Sequence, residues 1–213
     1  MATNEKKRLV FLEMHPVFNL KKFQEYYSPS GSDREVYDIL LYNKRMGRIE
    51  AKMSGLYYSV RPGSDADTTQ VDPFLLAAKL AEDSVLAFHK AFDLFGFSHS
   101  IFNSYYYYSI RPHPARLFGN DHFRCVLQPQ ILQKKSPTLF GTEKPERSGI
   151  KVVVTGKERT LVDVLERPQF CVGFEEMYRS LEKMPYLQTE LILDYLNLCE
   201  QKNLFALVGF FLE

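Results

Sequence analysis

Tryptophan is absent from this chain of 213 residues, and cysteine is scarce: Cys125, Cys171 and Cys199 only. An odd count at wide spacing offers neither a disulfide framework nor paired zinc ligands. Free thiols in a reducing interior are expected. No run approaches the roughly 20 apolar residues of a membrane span. The stretch Leu9-Val10-Phe11-Leu12 follows Lys6, Lys7 and Arg8, but it is short and Glu13 and His15 come next. It does not read as a signal peptide. Also missing are a Gly-rich phosphate loop, Gly-x-Ser-x-Gly and a Cys/His pair of catalytic type. These absences disfavour an enzyme. They lead us to expect no cofactor, no metal, no membrane partner and a cytoplasmic location.

What is present is aromatic. The chain has 17 Phe and 13 Tyr within 45% hydrophobic residues, enough for a sizeable core in one or two domains. The net charge of +1 hides an asymmetry. Residues 1–63 hold 11 Lys+Arg against 7 Asp+Glu, hence +4; the remainder holds 16 against 19, hence −3. A basic head on a mildly acidic body fits a small DNA-contacting domain joined to a larger interaction domain. Pro62 to Gln70 is polar and breaker-rich. It divides the chain into residues 1–63, a linker at 64–70, and residues 71–213.

The first part reads as helix, turn, helix and hairpin. Asn19 can cap a helix carrying Leu20, Phe23, Tyr26 and Tyr27. Ser28-Pro29-Ser30-Gly31-Ser32 is a turn. Ser32 or Asp33 opens a second helix with Val36, Ile39, Leu40 and Asn43 along one face, and Gly47 ends it. Residues 48–53 and 56–60 read as two short strands around Ser54-Gly55. This is the outline of a winged helix-turn-helix. In such a domain the second helix enters the major groove and its polar face reads base edges. Arg34, Asp38, Asn43, Lys44 and Arg45 are the candidates there. Arg48, Lys52 and Arg61 would meet phosphates from the wing, and Lys21 and Lys22 from the preceding helix. Glu35, Asp38 and Glu50 dilute this basic face, so affinity is expected to depend on dimerisation.

The second part reads as mixed α/β. Asp72-Pro73 opens a helix to Leu80, and Ser84 caps another, Val85–Phe95, stopped by Gly96. Ile101–Ile110, with Tyr105 to Tyr108 in succession, reads as a strand whose alternate tyrosines face opposite sides. His122–Leu127 and Ile150–Thr155 read as further strands, and Lys134–Ser148 as a long surface loop. Helices follow over Phe174–Lys183, Glu190–Glu200 and Leu204–Leu212, the last capped by Asn203. His89 has no ligand partner one helical turn away and reads as a packed residue.

Thr155-Gly156-Lys157-Glu158-Arg159-Thr160-Leu161-Val162-Asp163-Val164-Leu165 is the most particular stretch. Gly156 ends a strand, and Thr160 can cap the next helix with Asp163 three residues on, near a capping box. Arg159 would pair with a carboxylate. Glu158 and Asp163 are five apart and share no helical face, which argues against a metal-dependent nuclease.

This wording resembles the C-terminal domain of AbiEi-family antitoxins and transcriptional regulators. Glu158-Arg159-Thr160-Leu161-Val162-Asp163 matches closely, followed by Arg167-Pro168. Phe174-Glu175-Glu176 through Leu181-Glu182 and Val208-Gly209-Phe210-Phe211-Leu212-Glu213 are similar too. So is Val85 to Gly96, with Lys90 and Phe95 departing from the family's usual serine and histidine. Gly47-Arg48-Ile49 and Gly55-Leu56-Tyr57 are similar to the family's wing. The resemblance implies an α+β chain: an N-terminal winged helix-turn-helix followed by a mixed α/β antitoxin domain. It implies repression of its own operon by binding promoter DNA, and neutralisation of a nucleotidyltransferase-type toxin in bacterial or archaeal phage defence. Similar proteins continue past the position of Glu213, so the resemblance also implies a truncated or short C-terminal domain. A stand-alone regulator without a toxin, and a protein-interaction module whose winged helix contacts protein, are the alternative readings.

Overall fold

A computed structural model describes residues 9–27, 32–53, 55–61, 63–64, 69–135 and 139–213, without the side chains of Asp33, Lys52, Met53 and Lys135. The chain is mixed α+β and falls into two compact units. One comprises Met1–Leu80 with Arg147–Ile150, the other Ala81–Glu146 with Lys151–Glu213. The division comes later than the linker expected at 64–70, whose residues 65–68 lie outside the described residues. The helix after that linker belongs to the first unit. There Asp72 accepts from the backbone N–H of Phe74 and pairs with Arg147, whose guanidinium lies 4.2 Å from the Phe74 ring.

The first unit opens with helix α1, residues 9–14. Strand β1 (Val17–Asn19), helices α2 (Leu20–Tyr27) and α3 (Asp33–Arg45), strands β2 (Ile49–Met53) and β3 (Leu56–Ser59), and helix α4 (Pro73–Ala77) follow. The expected caps are in place. Asn19 Oδ1 accepts from the Lys22 N–H at 2.8 Å, and Ser32 Oγ from the Glu35 N–H at 3.4 Å. Gly47, at φ +64°, ends α3 in a conformation that costs glycine least. The expected turn at Ser28–Gly31 lies outside the described residues. β1 and β2 each pair antiparallel with β3, so the sheet runs β1-β3-β2. Neither α1 nor β1 was expected from the sequence. Phe11 of α1 meets Phe18 and Phe23 edge-on, and these join Leu12, Val36, Leu40 and Ile49 in one core. An aromatic cluster of this kind supplies much of a small unit's apolar burial.

The second unit holds a mixed six-stranded sheet. Its strands are β4 (Val85–Leu86), β5 (Ser104–Ser109), β6 (Arg116–Phe118), β7 (Asp121–Leu127), β8 (Thr142–Glu143) and β11 (Val154–Thr155), ordered β6-β7-β5-β4-β11-β8. A separate two-stranded ribbon joins β9 (Glu146–Arg147) to β10 (Ile150–Lys151); its residues Arg147–Ile150 belong to the first unit. β5 runs parallel to β7 and antiparallel to β4, through Tyr105↔Phe123 and Val85↔Tyr108. Tyr108 packs into the main core with Tyr106 at its edge, while Tyr105 stacks on Phe123 and Tyr107 is buried near His113. The core is closed by α5 (His89–Phe95), α6 (Gln130–Lys135), α7 (Lys157–Glu166), a 3₁₀ turn (Pro168–Cys171), α8 (Phe174–Glu182), α9 (Thr189–Cys199) and α10 (Lys202–Leu212).

Several expectations are corrected here. The helix expected from Val85 begins only at His89. Val85 and Leu86 pair with β5, and Leu86 also with β11. The run Val85–Phe88 is buried throughout, and an apolar run that short suits strand or helix until its neighbours decide. Residues 150–155 form two separate short strands. The loop expected at 134–148 contains β8 and β9, with residues 136–138 outside the described residues. The helix expected to extend to Leu80 ends at Ala77, and α10 starts at Lys202 with Gln201 at its cap position, so Asn203 does not cap it.

Candidate nucleic-acid interface

Helix α3 has two faces. At about 100° per residue, Val36, Ile39, Leu40 and Asn43 fall on one side. Val36, Leu40 and Asn43 are buried there, and Ile39 packs against the core. About 180° away, Arg34, Tyr37, Asp38, Leu41 and Arg45 form an exposed stripe. Arg34 and Arg45 stand eleven residues apart on it, about 16 Å along the axis.

Asn43 therefore does not read bases. It is 0% exposed, and its Nδ2 donates to the Ile39 carbonyl at 2.8 Å. Nine residues separate it from Arg34, which is half a turn out of phase. Lys44 and Arg48 are exposed to different degrees and are partly engaged. Lys44 Nζ lies 3.0 Å from Glu50 Oε1. Arg48 is half-buried, with its guanidinium 5.9 Å from the Tyr42 ring. Lys21 and Lys22 are exposed on α2, Lys22 reaching Glu25 at 3.5 Å. Arg61 is exposed beyond β3; the Lys52 side chain lies outside the described residues. Arg34 and Arg45 thus share one surface, while Lys44 reaches Glu50 of β2 and Arg48 lies over Tyr42.

Two residues of the exposed stripe escaped the sequence reading. Tyr37 and Leu41 are each 50% exposed. They sit three and seven residues after Arg34, in phase with the polar face and out of phase with the core. That mismatch was the available signal.

In the second unit, the stretch around Arg159 is an internal brace. α7 begins at Lys157 with Gly156 at its cap position, four residues before the cap expected at Thr160. The Gly156 N–H donates to the Gly141 carbonyl at 2.8 Å, and a Cβ on Gly156 would stand 3.2 Å from that oxygen. Thr160 and Asp163 are therefore interior positions rather than caps. Thr160 Oγ1 lies 2.7 Å from Thr155 Oγ1. Asp163 is buried, accepting from the Tyr195 hydroxyl at 2.7 Å and pairing with Arg159 Nε at 3.4 Å. Arg159, itself buried, donates to the Phe140 carbonyl and lies between the rings of Tyr108 and Tyr195. Burial raises the Asp163 carboxyl against the opposing pull of Arg159. Glu158 accepts from the Gln188 N–H at 3.1 Å, at the start of α9, where a carboxylate suits the positive helix end. Among the described residues no three His, Cys, Asp or Glu side chains group as metal ligands, and no helix is long and apolar enough to cross a membrane.

The chain matches no family model and no curated protein. Among solved structures it is similar to the RV2827C protein from Mycobacterium tuberculosis, known from a crystal structure. Identity is 15% and the TM-score 0.42, over 97% of this chain and 81% of that one.

Proposed function

We propose that this chain is a cytoplasmic, DNA-binding autorepressor and antitoxin, with its first unit acting as a winged helix-turn-helix. The observation that carries the reading is the order α1-β1-α2-α3-β2-β3 with sheet order β1-β3-β2, in which β2 and β3 would form the wing. α3 is then the recognition helix, and its outward stripe begins and ends with arginine. Such a helix lies in the major groove, while α2 crosses the backbone with Lys21 and Lys22 toward phosphates. Arg61 and Lys52 serve the wing. Two copies on an inverted repeat would compensate for Glu35, Asp38 and Glu50. The antitoxin half of the proposal rests on the AbiEi-like wording of residues 154–168, which supports a nucleotidyltransferase-type toxin as partner.

The test is a promoter fusion. The full chain should repress a reporter driven by its own upstream DNA, and Arg45→Ala and Lys52→Ala should each relieve repression. Co-expression with the neighbouring gene should restore growth if that gene encodes the toxin; a harmless neighbour would leave a stand-alone regulator. Unchanged repression in both variants would remove α3 and the wing from DNA contact. The exposed Tyr37 and Leu41 favour one competing reading, a winged helix that contacts protein, which entails no DNA binding even at low salt.

A further inference from the structure

Tyr37 and Leu41 occupy the middle of the exposed stripe of α3. Val36, Ile39 and Leu40 fill the core side of the helix, and about half of each of the Tyr37 and Leu41 side chains faces outward. Resting on the DNA-binding reading above, we propose that Leu41 and Tyr37 read thymine methyl groups on the floor of the major groove.

Arg34 and Arg45 bracket the two apolar side chains, about 16 Å apart along the axis, near the two ends of a helix that lies along the major groove. A straight helix comes nearest the floor of the curving groove at its middle, which leaves the cations at its two ends nearest the flanking phosphates. The centre of the stripe then faces the base edges. Asp38 lies in the same stripe, and a carboxylate turned toward a phosphate would be repelled. Over bases it can accept from a cytosine amino group. Its position therefore favours the same docking, arginines outward and the stripe's centre downward. On the groove floor the apolar feature is the C5-methyl group of thymine, which meets aliphatic and aromatic side chains. Leu41 is branched and on the centre line; Tyr37 sits one turn before it and can lie flat against a neighbouring methyl. The site read by α3 is accordingly thymine-bearing at its centre, with a cytosine beside it.

Uracil tests this directly, because it pairs as thymine does and lacks only the methyl. The full chain would first select duplexes from a random-sequence pool. The recovered duplex would then be remade with uracil at each central thymine in turn. Affinity should drop about fourfold per contacted methyl. Leu41→Ala should bind the thymine duplex more weakly and no longer distinguish the two. Leu41 is half exposed, and a thermal melt establishes that the variant folds. If wild type binds both duplexes alike while Arg45→Ala weakens both, the DNA reading stands and the thymine inference is overturned. A recovered site without central thymine overturns it too. If the pool yields no selected duplex at all, both the inference and the DNA reading fall, and the apolar pair marks a protein contact.

Discussion

Asn43 and Arg45 lie two residues apart on α3, yet their side chains serve different ends. Asn43 is enclosed and bonded to the Ile39 carbonyl. Asn43→Ala should cost about 1–2 kcal/mol of stability in a denaturant titration. Arg45→Ala should stay within about 0.5 kcal/mol of wild type in that titration and lose DNA affinity instead. A stable Asn43→Ala protein that fails on DNA would return Asn43 to the reading face. Stability should also depend on pH, through Glu176 and His89. Glu176 Oε1 receives His89 Nε2, the His99 and Ser100 N–H groups and the Ser180 hydroxyl, at 2.9–3.2 Å. Burial pushes the Glu176 carboxyl up, but the bonds from Ser100, His89 and His99 outweigh it and hold it at about 2. Burial also lowers His89 below its ordinary 6.5, beyond what Glu176 restores. A histidine kept neutral in the fold loses stability as pH falls below 6.5, because the unfolded chain takes the proton there. Glu176 contributes stability above its ordinary 4.5, and this is lost as pH falls from there toward 2. Urea midpoints should therefore decline in two stages, and His89→Gln should flatten only the upper one. An upper slope that survives in His89→Gln would assign it elsewhere.

At the scale of elements, α7 is the brace of the second unit. Arg159→Ala would leave Asp163 buried without its cation, at a cost of about 3–5 kcal/mol. Arg159→Met combined with Asp163→Leu should recover most of that, since an apolar pair replaces a buried ion pair at little cost. Thermal or denaturant unfolding of the three proteins checks this; a double variant no better than Arg159→Ala would mean the polar contacts of Tyr195 and Phe140 carry the brace. The same element shows what sequence makes legible. Its existence, the glycine break and the Arg159 carboxylate partnership could be read from residue types. Its start could not, because Thr160 and Asp163 have the chemistry of caps and only the packing of Tyr195 and Thr155 shows them inside. Val85–Phe88 misled for a related reason: its pairing partners lie about twenty and seventy residues away in sequence. In the first unit, local signals sufficed for α2, α3, β2 and β3, whereas β1 is three residues long and declared only by β3. On α3, polarity picked out Arg34 and Arg45, which are exposed, put Asn43 on the surface, where it is buried, and passed over the half-exposed Tyr37 and Leu41 because they are apolar.

At the scale of the molecule, the DNA-binding proposal would concentrate phosphate affinity in one unit, where residues 1–63 carry an excess of positive charge over the rest. Lys21, Lys22, Arg34, Arg45 and Arg61 are all exposed there. If most of them displace counterions, the logarithm of affinity should fall with the logarithm of salt at a slope of roughly −4 per chain, about −0.9 for each phosphate contacted. Non-selective binding would share that slope, so selectivity has to be measured alongside it. The decisive measurement is the affinity of the full chain for its own upstream duplex and for a scrambled duplex across a salt series. Tight, steeply salt-dependent binding is expected, with the native sequence preferred by on the order of a thousandfold or more. Equal binding to both duplexes, or none at low salt, would contradict the assignment of α3 as a recognition helix.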